Sequence, residues 1–267
     1  MTQILLILLV AFSSVLGCAT ANLTKGQIRE DLIKTLNNID SYCYKMQMYM
    51  ETSISGEDGK DIVKSSGNAY VDVKNKRIKA LINMNEINKA RSKLTKTEIY
   101  IFDTMEYLHL CSDGKWDSWV KFEVSRDKFE SENQVKKQIK LAVLSKIKSL
   151  KGKDNYYLLN IEPEKETFWK LVMEQEEEHP LLKLLNLDYE DVIKEADMNI
   201  WIEKGILFPI RCILKMKAII EGEIMKEPFR MTINVEKVYK YYDYNKSIAL
   251  ELPEEAKRAK VYEEEWD

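Results

Sequence analysis

The reading of the fold turns on Ser41-Tyr42-Cys43-Tyr44-Lys45-Met46-Gln47-Met48-Tyr49-Met50-Glu51-Thr52. Tyr42, Tyr44, Met46, Met48 and Met50 take every second position, and Lys45, Gln47 and Glu51 fall between them. That is period two, the spacing of an antiparallel strand with one face toward a core and the other toward water. Wound as a helix, the same residues would scatter their apolar side chains around the circumference. Ser55-Gly56-Glu57-Asp58-Gly59 then supplies a hairpin turn. Strand-like segments continue the meander over 64–74, 77–85, 96–103, 105–112 and 118–124, with Asp113-Gly114 as a turn before Trp116 and Trp119.

Upstream of this strand the period is helical. Thr24 and Gln27 form a capping box, in which each side chain can satisfy the other's backbone N–H. Ile28, Leu32, Leu36 and Ile39 follow on one helical face. Downstream, Glu132 to Leu150 reads as an amphipathic helix with Val135, Ile139, Ala142, Val143, Ile147 and Leu150 on one stripe. A short strand at 155–161 precedes a second helix opened by Pro163, and a third is expected after His179-Pro180, from Leu181 to Ala196. Strands resume at 197–203, 206–221 and 224–240. Two blocks of antiparallel strand around a helical middle predict one α+β domain over residues 24–253, its helices gathered on one face of the sheet. Residues 254–267 read as an acidic C-terminal tail, and Glu176 to Glu178 and Glu263 to Glu265 as solvated runs.

Charge and motifs exclude several function classes. Lys and Arg total 41 against 44 Asp and Glu, a net charge of −3, so the basic excess that phosphate-backbone binding needs is absent and no nucleic-acid partner is expected. No GxSxG elbow, P-loop or dinucleotide fingerprint occurs, and nine glycines are few for phosphate-cradling loops. His109 and His179 lie far apart without metal-ligand spacing, and no CxxC occurs. The expectation is therefore no enzyme, no metal and no cofactor. Cys43, Cys111 and Cys212 form an odd set that allows one pair in three ways. Cys212 shares a face with Ile210, Leu214 and Met216 and reads as a buried free thiol; the pairing stays open, with a Cys43–Cys111 bridge as one expectation.

Ile4 to Phe12 is an uncharged apolar run followed by Ser13, Ser14 and Val15-Leu16-Gly17-Cys18. Its length suits a signal-peptide core and falls short of the roughly 20 residues that span a bilayer. The pattern resembles a lipoprotein signal peptide over residues 1–17 ending in a lipobox, with Cys18 as the lipidated residue and 18–23 as a tether. A diacylated Cys18 would anchor the domain to the cell membrane on its extracytoplasmic face. The alternative is an ordinary signal peptide cut near Ala19-Thr20-Ala21, which gives the same compartment without the anchor.

Three later stretches, in order, carry a second resemblance. Thr97-Glu98-Ile99-Tyr100-Ile101-Phe102-Asp103 leads to Tyr107 and to Trp116 through Phe122. Asn199-Ile200-Trp201-Ile202-Glu203-Lys204-Gly205 leads to Phe208-Pro209-Ile210, and Ile248-Ala249-Leu250-Glu251-Leu252-Pro253-Glu254-Glu255-Ala256 ends the series. Together with the order signal, Cys, helix, meander, helices, meander, these resemble the LolA-like family of lipoprotein carriers and lipid-binding lipoproteins. The resemblance implies a strongly curved antiparallel half-barrel with helices covering its concave face. It also implies a hydrophobic ligand, a lipid or lipid-linked group, held in a cavity between sheet and helices. Met46, Met48, Met50, Met84, Met216 and Met231 are the candidate cavity residues, since flexible thioethers repack around varied ligands; plain core packing is the other reading of the same side chains. The alternative function is a sensory or adaptor lipoprotein that uses the scaffold to dock an envelope protein.

Overall fold

The computed structural model describes residues 23–56, 59–89, 91–125, 128–173, 182, 185–224 and 227–262. The expected signal region, Cys18, Glu176 to Pro180 and Glu263 to Glu265 lie outside the described residues.

The described chain begins at helix α1 (Lys25–Leu36). Its expected capping box is formed: Thr24 Oγ1 accepts from the Gln27 N–H at 3.2 Å, and Gln27 Oε1 accepts from the Thr24 N–H at 2.9 Å. Ile28 and Leu32 are buried on one side. The first meander follows as β1 (Ser41–Ile54), β2 (Asp61–Asp72), β3 (Arg77–Ile87), β4 (Ser92–Phe102), β5 (Met105–Ser112), β6 (Lys115–Trp116) and β7 (Val120–Glu123). Helices α2 (Lys128–Glu132) and α3 (Gln134–Leu144) come next, then β8 (Lys146–Gly152) and β9 (Tyr156–Glu162). After α4 (Lys165–Met173) and α5 (Tyr189–Val192), the second meander runs through β10 (Ile193–Glu203), β11 (Pro209–Ile224) and β12 (Glu227–Tyr242). Short elements α6 (Glu254–Lys257) and β13 (Lys260–Val261) occupy part of the stretch read as a tail.

Among the described residues all 13 strands belong to one curved sheet, ordered β13-β7-β5-β4-β3-β2-β1-β12-β11-β10-β9-β8, with β6 beside β5. Its pairs are antiparallel except β13 with β7. Pairing of β1 with β12 joins the two meanders, and among the described residues the end strands β13 and β8 do not pair, so the half-barrel stays open. Alternation along β1 is as expected on its inward side: Tyr42 and Met46 are buried and Tyr44, Met48 and Met50 half-buried, while Lys45 and Gln47 are exposed. Inward side chains of the sheet and the buried faces of α1, α3 and α4 form a single hydrophobic core.

Two helical expectations are corrected, for one physical reason. The helix expected over Glu132 to Leu150 is interrupted at Asn133 and stops at Leu144, and Lys146–Gly152 is a strand. A bulge between Ile147 and Ser149 puts Ile147 and Leu150 opposite Ile161 and Leu159, on the same face. The helix expected from Leu181 to Ala196 yields to β10 at Ile193, where a bulge between Ile193 and Glu195 sets Ile193 and Ala196 on one face. In each case the extra residue of a bulge turns period two into an i, i+3 spacing, which reads as helix.

The expected Cys43–Cys111 bridge is also corrected, because Cys43, Cys111 and Cys212 are all free and buried. Three strands separate β1 from β5, about 19 Å along the sheet at ~4.8 Å per strand, whereas a disulfide requires Cα atoms within about 7 Å.

Candidate ligand cavity

Two cross-strand rows on the inward face determine where space is left. One runs Tyr44, Ala69, Ala80, Ile99 and the other Met46, Gly67, Ile82, Thr97. Ala69, Ala80 and Gly67 stand where a filled sheet-on-helix core carries branched side chains. Beside them opens a cavity of about 310 Å³, floored by these residues with Met46, Ile78, Ile99 and Ile101. Gly67 is constrained as well as small, since a Cβ there would meet the Leu81 carbonyl oxygen at 2.8 Å. The close approach of β2 to β3 at that point requires glycine.

The mouth is polar. Glu106 of β5, Lys128 and Glu132 of α2, and Gln134 and Lys137 of α3 line it. Lys128 Nζ lies 3.0 Å from Glu132 and 3.6 Å from Glu106. Burial pushes the Glu106 carboxyl above its ordinary pKa, a shift that the Lys128 charge opposes. Burial works against the Lys128 charge too, but Glu132 and then Glu106 more than offset it, and its pKa is raised.

One residue ties the start of α3, whose Gln134 and Lys137 line this mouth, to β1. Asn133 caps the helix, its Oδ1 accepting from the Lys136 N–H at 3.1 Å and from the Tyr42 hydroxyl of β1 at 2.9 Å. Gln134 and Gln138, four residues apart and so on one helical face, are both buried. Among the described residues Gln134 Oε1 and both amide atoms of Gln138 have no hydrogen-bond partner. An unpaired buried polar group costs about 1–3 kcal/mol, so such atoms mark where water or a ligand's polar group supplies the missing bond.

Of the six candidate methionines, Met46 lines the cavity. Met48 stands opposite the buried Lys237 and Met50 opposite Val235, both against the core. Met216 and Met231 are core residues, and Met84 sits half-buried between Ser65 and Thr95. His109 lies elsewhere, on the outward face, its ring 4.4 Å from those of Trp116 and Trp119. Among the described residues no group of three or more His, Cys, Asp or Glu could hold a metal ion, and no helix is long and apolar enough to cross a membrane. Sequence reasoning missed Glu106, Lys128, Gln134 and Gln138. The available signal was the run of small residues at alternate inward positions, Gly67, Ala69 and Ala80.

A family model, described as a family of unknown function, DUF6612, matches residues 24–261. The chain belongs to DUF6612. That match begins at the α1 cap and ends at β13. No curated protein matches the sequence. Among solved structures, this DUF6612 chain is similar to a DUF1329 family protein from Desulfovibrio piger, at 10% identity over 84% of this chain and 93% of that one, with a TM-score of 0.30. It is also similar to a β-barrel-like protein of the domain of unknown function DUF1849 from Brucella abortus, at 9% identity over 77% of this chain and 100% of that one, with a TM-score of 0.26.

Proposed function

We propose that this DUF6612 protein is a membrane-anchored surface lipoprotein that binds a hydrophobic ligand, a lipid or lipid-linked group, in the cavity between curved sheet and helices. In this reading α2 and α3 cover the concave side of the half-barrel, as in the LolA-like proteins its sequence resembles, and Cys18 carries the anchor. The observation that carries the proposal is the cavity itself. Small residues on three inward positions leave about 310 Å³, at the lower end of the ~300–1,000 Å³ range of small-molecule sites, with an apolar floor and a charged mouth. A floor of Met46, Ile78, Ile99 and Ile101 offers an acyl chain about 0.8 kcal/mol per buried CH2. The unbonded Oε1 of Gln134, which lines the cavity, offers an acceptor to a polar group at the chain's end. The space suits one chain of modest length. The mechanism is shielding: the chain stays out of water while the anchor keeps the domain beside the membrane.

The test is native mass spectrometry with organic extraction on the full chain purified from its own host, beside an Ala80→Leu variant that places a branched side chain in the cavity. A lipid retained near one per chain by the wild type and lost from the folded variant supports the reading. Wild-type protein that is empty and takes up no added lipid sinks it and favours the adaptor alternative, in which the same scaffold docks an envelope protein.

A further inference from the structure

The outward face carries a second feature, which adjoins the cavity's lining at Met46, Gly67 and Asn68. Lys45 of β1 stands directly opposite Lys240 of β12, and Lys240 directly opposite Arg211 of β11. Three cations thus lie side by side across adjacent strands, spaced about 5 Å apart. Like charges in direct cross-strand register oppose folding. Among the described residues none of the three forms an ion pair with a carboxylate, although Lys215 and Arg230 on the same strands do. Of the carboxylates nearest in sequence, Asp243 is paired with Lys246, Glu236 with Lys215 and Glu51 with Lys60. The chain as a whole carries −3, so this row is not a by-product of a basic composition.

Aromatic rings frame it. The Arg211 guanidinium lies 5.1 Å from the Trp201 ring centre, and Lys45 Nζ lies 6.0 Å from that of Tyr242. Arg211 Nε is buried and, among the described residues, bonded to nothing. The three cations with Trp201, Tyr156 and Tyr242 line an open depression of about 610 Å³. A neighbouring hollow of about 230 Å³ shares Lys45 and Lys240 and adds Gln47, Ser66, Asn68 and Asn83, all uncharged hydrogen-bonding side chains.

We propose that this face is a binding site for a phosphate monoester on a sugar or similar polar ring. The phosphate, close to doubly charged at neutral pH, neutralises the row formed by Lys45, Lys240 and Arg211, and the guanidinium supplies the paired donors that phosphate oxygens accept. A lone carboxylate carries too little charge for three cations. The ring stacks on Trp201 beside Tyr156, and the amide and hydroxyl side chains of the adjoining hollow take its free hydroxyls.

The experiment is calorimetric titration of the full chain with glucose 1-phosphate, inorganic phosphate and glucose, and sedimentation with vesicles of equal phosphatidylglycerol and phosphatidylcholine. Saturable one-to-one binding of glucose 1-phosphate is expected, tighter than inorganic phosphate and with none for glucose. Lys45→Gln and Lys240→Gln each weaken it at least tenfold, while Trp201→Leu weakens the sugar phosphate and leaves inorganic phosphate unchanged. All three positions are on the outward face, and the two lysine variants, relieved of like-charge crowding, melt no lower than wild type without ligand. Ala80→Leu leaves the affinity unchanged, which separates this site from the cavity. The proposal is overturned if no soluble phosphate saturates, if binding survives both lysine substitutions, or if vesicles alone are bound.

Discussion

Asn133 does two tasks with one oxygen atom, and the cost of losing it can be set against the cost of losing either partner. Its Oδ1 caps α3 through the Lys136 N–H and accepts the Tyr42 hydroxyl, and the Tyr42 side chain is fully buried. Asn133→Ala removes a cap, worth about 0.5–2 kcal/mol, and strands the Tyr42 hydroxyl, costing about 1–3 kcal/mol. Tyr42→Phe removes the donor instead and keeps the Asn133 cap, losing only the long 3.5 Å bond that the hydroxyl accepts from the Val135 N–H, so about 1 kcal/mol is expected. Urea denaturation of the two variants and of their double mutant checks this. The double mutant should be little worse than Asn133→Ala alone, because its buried hydroxyl is gone. Equal and additive losses would mean that the bond between strand and helix contributes nothing of its own. This contact was not legible in the sequence, where Asn133 sits inside a stretch with helical periodicity and its partner lies 91 residues earlier.

Elements were legible where alternation ran unbroken and illegible where a bulge shifted it. The β1 reading needed only Tyr42 through Glu51, and its partners followed because each strand repeats the same parity across the register. At Ile147 and Leu150, and again at Ile193 and Ala196, one inserted residue imitates a helical repeat, and nothing local distinguishes the two. The C-terminal elements were misread for a different reason. Residues 254–267 read as an acidic tail, yet Ala256 is buried and β13 lies along β7, with Tyr262 packed 5.4 Å from Phe122. Ending the chain at Pro253 should therefore uncover the β7 edge and the apolar surface under Ala256. The truncated protein is expected to melt several degrees lower and to self-associate through the freed strand. Thermal melts and size-exclusion chromatography decide it, and a monomer with an unchanged melt would show that α6 and β13 add nothing to the sheet.

At the scale of the molecule, the pairing of β1 with β12 gathers tyrosines from both ends of the chain into one group, buried at Tyr42, Tyr239 and Tyr241 and half-buried at Tyr44 and Tyr244. Tyr42, Tyr44, Tyr239, Tyr241 and Tyr244 are in ring contact there, with Cys212 opposite Tyr239 on β11. Tyr239, Tyr241 and Tyr244 lie close together in the chain; their convergence with Tyr42 depends on closure between strands nearly 200 residues apart, which no local pattern encodes. Likewise the small residues Gly67, Ala69 and Ala80 of the cavity floor come together only when β2 pairs with β3, and its mouth required α2 and β5 to meet. Burial first, and neighbouring ionisable groups after it where any adjoin, push the Tyr42, Tyr241, Tyr244 and Cys212 pKa values well above 10.0 for the phenols and 9.0 for the thiol. In the unfolded chain these groups lose protons near those ordinary values, whereas in the folded chain they keep them. The unfolded state then binds fewer protons, so stability is full below about pH 9 and falls as pH rises beyond the ordinary pKa values. Each group contributes about 1.4 kcal/mol per pH unit to that fall until its folded pKa is reached. Tyr241 gives the cleanest check, because among the described residues its hydroxyl has no hydrogen-bond partner. Tyr241→Phe removes an unpaired polar atom and is expected to be at least as stable as wild type at pH 7. Above pH 10 its stability should decline less steeply by about 1.4 kcal/mol per pH unit. Urea melts of both proteins at half-unit steps from pH 8 to 11 measure the difference, and parallel curves above pH 10 would show that the buried phenol does not resist ionisation.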